Sequence, residues 1–172
     1  MATPTFDMCC QLALNQYGVS FDLKAEQKCV LEHIFSGQDT LAILPTGYGK
    51  SLIFQLIPYM MSFKLQSQCP LITLVVTPIS AIMEDQLRSL ASKNIKAGHL
   101  LIDGTKFKTF EVGSDGEISE HLHNVTNLAE AGHSHPESLV CNNKVRKLLA
   151  SKPLCDRICC IAVDEVHMIS EW

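Results

Sequence analysis

Two short segments, residues 44–51 and 162–167, constrain this chain most. The first reads Leu-Pro-Thr-Gly-Tyr-Gly-Lys-Ser and follows a short apolar run. The second reads Ala-Val-Asp-Glu-Val-His and closes the most apolar run near the C-terminus. We predict that each follows a strand of one sheet, because ligands of open α/β sheets bind at the carboxyl ends of the strands. The pair then supplies a cradle for phosphate and an acid for magnesium.

The first segment has the composition of a phosphate-binding loop. Gly47 and Gly49 allow the tight turn that aims several backbone N–H groups at one anion. The predicted helix that follows adds the partial positive charge of its N-terminus. Lys50 can reach the β- and γ-phosphates, and the Ser51 hydroxyl can hold Mg²⁺. The general pattern G-x-x-x-x-G-K-[ST] has glycine where this chain has Leu44, which disfavours an ordinary kinase or GTPase.

The second segment offers two neighbouring carboxylates at the end of a predicted strand. Asp164 there can hold Mg²⁺ through water, and Glu165 can orient and deprotonate an attacking water. His167 follows at a spacing that brings it near the γ-phosphate position. A solvated acidic turn would explain the two acids alone, but not their combination with Lys50.

With these motifs the chain resembles the first RecA-like lobe of superfamily 2 helicases, and within them the RecQ family of DNA helicases. Residues 23–27 resemble the family's adenine-reading motif, and residues 44–51 its phosphate loop, where a non-glycine first residue is usual. Residues 76–86 resemble the motif that touches the backbone of the single strand. Residues 135–139 resemble the next nucleic-acid motif, and residues 163–172 the hydrolysis motif that runs into an aromatic-rich loop.

The resemblance implies a role for each matching residue. The nucleotide is bound by Lys24, Gln27, Thr46, Gly47, Tyr48, Gly49, Lys50 and Ser51. The magnesium ligands are Ser51 and Asp164, and the catalytic set is Lys50, Asp164, Glu165 and His167. DNA, as a single strand and at a duplex junction, is contacted by Thr77, Pro78, Ile79, Gln86, Pro136, Glu137 and Trp172. The cofactors are therefore ATP and Mg²⁺, and the implied movement along DNA is 3′-to-5′.

Two of these roles also follow from residue chemistry. The amide of Gln27 has the donor and the acceptor that pair with N7 and the amino group of adenine. Thr77 and Pro78 form a good helix start, with a capping hydroxyl and a proline at the first helical position. A helix N-terminus at a sheet edge binds phosphate without a basic residue, so it can contact a nucleic-acid backbone.

The predicted fold class is α/β: a RecA-like P-loop lobe with a mainly parallel sheet, helices on both faces and an incomplete C-terminus. Short continuous apolar runs that alternate with amphipathic stretches favour this architecture. The predicted strands are 39–44, 71–76, 98–102 and 157–163. The predicted helices are 5–17, 24–36, 49–63, 78–93 and 138–150. Pro58 is expected to kink or end the third helix.

The organisation is expected to be one partial helicase ATP-binding domain over residues 1–172, with residues 1–36 as a helical lead-in that carries the adenine motif. Residues 103–134 fit the family least, because they are polar and rich in glycine and acids. The family has a buried strand just before residues 136–137, and residues 127–134 make a poor strand. A flexible loop, an atypical insertion and an irregularity of the sequence all remain open.

Composition restricts the location of the protein more than its function. The net charge of −4 gives no global basic footprint, so charge does not argue for nucleic-acid binding. No stretch reaches the roughly 18 apolar residues of a membrane span. The N-terminus lacks a basic region followed by an apolar core. We expect a nuclear or cytoplasmic protein that is neither secreted nor membrane-bound.

The resemblance covers one lobe, since the rest of the aromatic-rich loop, the following strand and the second RecA-like lobe would lie beyond Trp172. The second lobe supplies an arginine finger, so we expect these residues alone to unwind nothing. Three functions remain open at this point. They are a motor lobe of a RecQ-like ATP-dependent DNA helicase, a truncated or degenerate nucleotide-binding module without turnover, and a P-loop enzyme of another kind, such as a nucleotide kinase.

Overall fold

The computed structural model describes residues 4–77, 80–93, 95–100, 106–112, 118–124, 131–134 and 143–166. It divides into two compact units, residues 1–71 and 72–172. The first contains helices α1 (Phe6–Tyr17), α2 (Ala25–Phe35) and α3 (Lys50–Leu65). The second contains the strands β1 (Ile72–Val76), β2 (Ala97–Leu100), β3 (Lys106–Val112), β4 (Ile118–Asn124), β5 (Ala131–Ser134) and β6 (Ile158–Val163). Its helices are α4 (Ser80–Ala91), α5 (Asn143–Leu149) and α6 (Lys152–Cys155).

The ends of α1 follow from its capping residues. Thr5 accepts a hydrogen bond from the Met8 N–H at 3.4 Å, and Gly18 ends the helix in the left-handed conformation with φ 76°. Inside the helix, Cys9 and Ala13 are fully buried and α1 packs on α3. The Tyr17 hydroxyl donates to Oε1 of Gln55 on α3 at 2.5 Å, so this helix pair has a polar contact beside its apolar core.

Helix α3 forms the apolar centre of the first unit. Its buried residues are Ile53, Phe54, Leu56, Ile57, Pro58 and Met60. Each large apolar side chain that leaves water contributes roughly 1.5–3 kcal/mol. Pro58 was expected to kink or end this helix; it does not end it, since α3 continues to Leu65, and the kink stays a prediction. The packed surroundings of the helix outweigh the backbone hydrogen bond that a proline cannot make.

The six strands of the second unit form one sheet in the order β4-β3-β2-β5-β1-β6. The strands β2, β5, β1 and β6 run parallel to one another, whereas β3 and β4 are antiparallel. All five residues of β1 are buried, as expected for a central strand of a parallel sheet. The mainly parallel α/β class is therefore confirmed, with an antiparallel hairpin at one edge.

Two expectations about strands are corrected. Residues 39–44 form no strand, and Leu41 and Ile43 are 74% and 88% exposed. An apolar run becomes a strand only when another strand pairs its backbone, and no strand among the described residues pairs with this one. The second correction concerns residues 103–134, since the parts that the structure describes are the strands β3, β4 and β5 rather than a loop. The interpretation of this region as an insertion stays a prediction.

Candidate nucleotide site and hydrolysis motif

The phosphate loop of the first unit has the backbone that its glycines predict. Gly47 and Gly49 both lie in the left-handed region, with φ 74° and 82°. The Tyr48 N–H donates to the Pro45 carbonyl at 3.2 Å and closes the turn between them. Helix α3 begins at Lys50, directly after the second glycine. The loop therefore leads into a helix N-terminus, the arrangement that binds anions.

The two side chains expected to meet phosphate and magnesium lie in the first turn of α3. Nζ of Lys50 donates to the carbonyl of Leu44 at 3.3 Å, so its charge lies over the loop itself. Ser51 is half-buried beside it. A carbonyl oxygen is a weaker partner for an ammonium than a phosphate oxygen. A bound phosphate would therefore be the stronger partner for the Lys50 ammonium.

Gln27 is the most buried polar residue near the loop, with only 3% of its surface exposed. Its Oε1 accepts from the Lys24 N–H at 2.9 Å. Its Nε2 donates to the carbonyls of Tyr48 at 2.9 Å and Gly49 at 3.3 Å. A Cβ at Gly49 would lie 2.6 Å from this Nε2. Glycine at this position thus allows both the left-handed turn and the close approach of the amide.

Two residues at the start of α2 contact the Tyr48 side chain. Nζ of Lys24 lies 3.8 Å from the centroid of the Tyr48 ring, in a cation–π contact. The Tyr48 hydroxyl donates to a carboxylate oxygen of Glu26. This hydrogen bond lowers the pKa of Glu26 and raises the pKa of Tyr48, because it favours the charged carboxylate and the neutral phenol.

The contribution of Glu26 was missed at the level of sequence, where only Lys24 and Gln27 were assigned to this region. An acid in the first turn of a helix is ordinarily explained by the helix dipole. The sequence carries no local signal for it, because its partner Tyr48 lies 22 positions later in the chain. The structure brings Lys24, Glu26 and Gln27 together around Tyr48 and Gly49.

The acidic turn of the second unit follows β6 directly. The Asp164 N–H donates to the Val76 carbonyl at 2.9 Å, so the turn adjoins the end of β1. Glu165 has φ 53°, a left-handed conformation that costs a side-chain-bearing residue about 1–2 kcal/mol. Its N–H donates to Oδ1 of Asp164 at 3.0 Å, which supports the turn. Such strain concentrates at functional sites.

The residues assigned to DNA are only partly described. Thr77 follows β1 and is 1% exposed, and its hydroxyl has no hydrogen-bond partner among the described residues. Gln86 is half-buried on α4. The remaining predicted residues lie outside the described ranges: Pro78, Ile79, Pro136, Glu137 and Trp172, together with the catalytic candidate His167. Their assignments stay predictions.

The predicted magnesium ligands are a hydroxyl, Ser51 in the first unit, and a carboxylate, Asp164 in the second. Hard oxygen donors of this kind suit Mg²⁺, which keeps several waters and adds substrate phosphates. Within the described parts of the chain, no group of three or more His, Cys, Asp and Glu residues could hold a metal ion by itself. The chemistry of the Ser51 and Asp164 donors suits Mg²⁺, and their assignment as its ligands stays a prediction.

None of the helices that the structure describes is long and apolar enough to cross a membrane.

Comparison with known proteins identifies the family of this chain. The family model described as DEAD/DEAH box helicase matches residues 24–172, which include the loop, α2 and the acidic turn. The chain therefore belongs to the DEAD/DEAH box helicase family. The resemblance to RecQ helicases is also confirmed by its relatives.

Three relatives show how much of a longer protein is matched. The chain is 33% identical to "Probable ATP-dependent DNA helicase RecS" of Bacillus subtilis, over 94% of this chain and 28% of that protein. It is 30% identical to the ATP-dependent DNA helicase RecQ of Haemophilus influenzae, over 85% and 20%. It is 29% identical to the ATP-dependent helicase wrn-1 of Caenorhabditis elegans, over 93% and 13%. The chain thus spans less than a third of the length of these relatives.

Proposed function

We propose that the chain is the ATP-binding motor lobe of a RecQ-like DNA helicase. The phosphate loop, which runs between two left-handed glycines into the start of α3, is the observation that carries the proposal. The relatives named as ATP-dependent DNA helicases support the same function. A DNA substrate assigns the protein to the compartment that holds DNA, the nucleus in a eukaryotic cell or the cytoplasm in a bacterial one.

In this proposal the loop N–H groups and Lys50 hold the β- and γ-phosphates of ATP, and Gln27 reads the adenine. Ser51 and Asp164 hold Mg²⁺, which neutralises phosphate charge when bound. Glu165 orients and deprotonates the attacking water. Single-stranded DNA lies across the carboxyl ends of β1 and its neighbours, and the motion along it is 3′-to-5′. Unwinding belongs to a protein with a second RecA-like lobe and its arginine finger.

Adenine reading by Gln27 requires an exchange of partners. Both N–H groups of its amide already donate to the loop, while Oε1 accepts from the Lys24 N–H. The 3.3 Å bond to the Gly49 carbonyl is longer than the other two and is the one that adenine can replace at least cost. In this proposal, nucleotide binding therefore changes the link between α2 and the loop.

Titration calorimetry with Mg-ATP tests the proposal. Lys50→Ala removes a charged donor to phosphate, and hydrogen bonds to charged groups contribute about 1.5–3 kcal/mol. We expect the affinity for Mg-ATP to fall by roughly tenfold to a hundredfold. Lys96→Ala, which removes an exposed lysine of the second unit, is the matched control and should bind as the parent does. Equal affinity of the parent and Lys50→Ala would refute the proposed site.

A further inference from the structure

The side chain of Tyr48 is held from outside the phosphate loop. Its ring contacts the ammonium of Lys24, and its hydroxyl donates to the carboxylate of Glu26, a residue 22 positions earlier in the chain. Its backbone carbonyl accepts from Gln27. The start of α2 therefore contacts both the side chain and the backbone of one residue at the apex of the loop.

That apex is where the loop has the greatest freedom to rearrange. Tyr48 lies between Gly47 and Gly49, which are the least restricted residues of the segment. A loop residue with a glycine on either side samples several backbone conformations unless its side chain is anchored. Tyr48 is half-buried and is the one aromatic side chain in the loop, so its contacts decide how narrowly the loop is ordered.

We propose that Glu26 is a positioning residue, which through the Tyr48 hydroxyl holds the phosphate loop in the conformation that binds nucleotide. The expected effect on nucleotide binding rests on the proposed function. The ordering of the loop by Glu26 rests on the contacts of Tyr48. A ligand that binds one conformation loses affinity in proportion to the fraction of molecules outside that conformation. Loss of the Glu26–Tyr48 hydrogen bond should therefore weaken nucleotide binding although neither atom touches the phosphates.

The contact is open to water, so its effect on global stability should be small. A hydrogen bond that is open to water contributes little to folding, because water can replace the lost partner, and Glu26 is an exposed side chain. If Glu26 positions the loop, its removal should change nucleotide affinity and amide exchange at the loop while the melting temperature stays almost the same. These two readouts separate a positioning residue from one that only supports the fold.

A double-mutant cycle with a fluorescent ATP analogue tests the pair on the full chain. Tyr48→Phe keeps the ring under Lys24 and removes only the hydroxyl, while Glu26→Ala removes the acceptor. We expect each variant to weaken binding about threefold to tenfold, and the double variant to be no weaker than the single ones. Glu26→Gln, which keeps an acceptor oxygen, should recover most of the affinity. Glu32→Ala removes another exposed acid of α2 and is the control.

Amide hydrogen exchange without nucleotide gives the second readout. We expect residues 46–50 to exchange faster in Tyr48→Phe and Glu26→Ala than in the parent and Glu32→Ala. Additive effects on affinity, or unchanged exchange at the loop, would overturn the role of Glu26. Failure of the proposed function looks different. In that case the parent and Lys50→Ala bind the analogue equally, while the exchange experiment still decides whether Glu26 orders the loop.

Discussion

The phosphate loop and the acidic turn, to which we assign nucleotide binding and hydrolysis, are held in place differently. The loop is fixed by side-chain contacts within the first unit. Gln27 and Glu26 contact it from α2, and Lys50 contacts its first carbonyl. The acidic turn is instead positioned by the sheet, through the pairing of β6 with β1 and the hydrogen bond from Asp164 to Val76.

This difference indicates how each half responds to change. A single side-chain substitution near the loop should weaken nucleotide binding only in part, because several contacts together hold the loop. The acidic turn depends on a strand register and on a residue with positive φ, Glu165. The chemistry that we propose for it rests on individual carboxylates, so a single substitution there should change turnover more than any substitution near the loop changes affinity.

The largest effect is expected at the acidic turn. In a longer chain that continues through a second RecA-like lobe, Glu165→Gln should lower ATP hydrolysis by about 10²- to 10⁴-fold, because it removes the general base. ATP binding should remain, since the amide preserves the shape of the side chain. A phosphate-release assay with single-stranded DNA measures the first quantity, and calorimetry measures the second.

The same phosphate-release assay also compares residues 1–172 with the longer chain. Residues 1–172 alone should show little or no DNA-stimulated hydrolysis, because the arginine finger implied by the resemblance belongs to the second lobe. Glu32→Gln in the longer chain serves as a control that should hydrolyse normally. Substantial hydrolysis by Glu165→Gln would show that the acidic turn does not supply the base, and the contrast between the two regions would fail.

A smaller effect is expected at the two glycines of the loop. Gly47→Ala and Gly49→Ala both place a Cβ at positive φ, which costs roughly 1–2 kcal/mol. Only the Cβ at Gly49 would meet Nε2 of Gln27, at 2.6 Å, whereas nothing lies within 4 Å at Gly47. We therefore expect Gly49→Ala to be the more destabilising of the two in urea denaturation.

Removal of the Gln27 side chain tests whether its amide causes the larger effect of Gly49→Ala. In a Gln27→Ala background, Gly49→Ala should cost no more than Gly47→Ala, because the close neighbour is gone. The pair of glycines has nearly the same backbone angle, so the comparison holds strain constant. If Gly49→Ala and Gly47→Ala were equally destabilising in the parent, the amide of Gln27 would not hold the loop as closely as the structure indicates.

Much of the helical structure could be predicted from the sequence, because the signals were local. Thr5 and Gly18 cap α1, and the two loop glycines precede α3. Helices α1 to α4 and the central strand β1 accordingly lie within a few residues of their predicted positions, whereas α6 was not predicted. Glu26 was missed because its partner, Tyr48, is distant in sequence, and no local pattern reports such a pair.

The strand predictions failed where the pairing of a segment, and not its composition, decides whether it forms a strand. Residues 39–44 have the apolar content of a strand but no partner among the described strands. The opposite holds for β5, which reads Ala-Gly-His-Ser and lies between β1 and β2. Strand propensity depends mainly on neighbours, and small residues fit between two strands already in place. The sequence of a segment shows its strand propensity but not which strands lie beside it.

The central claim is that an adenine nucleotide binds at the loop that Gln27 holds. Competition of ATP and GTP against a fluorescent ATP analogue, in the parent and in Gln27→Ala, tests it most directly. We predict that ATP competes better than GTP in the parent, and that Gln27→Ala weakens both nucleotides but ATP more, so that the gap narrows. Equal competition by ATP and GTP in the parent would contradict the claim. If Gln27→Ala lowered the affinity for ATP and GTP equally, Gln27 would hold the loop in place but would not read the adenine.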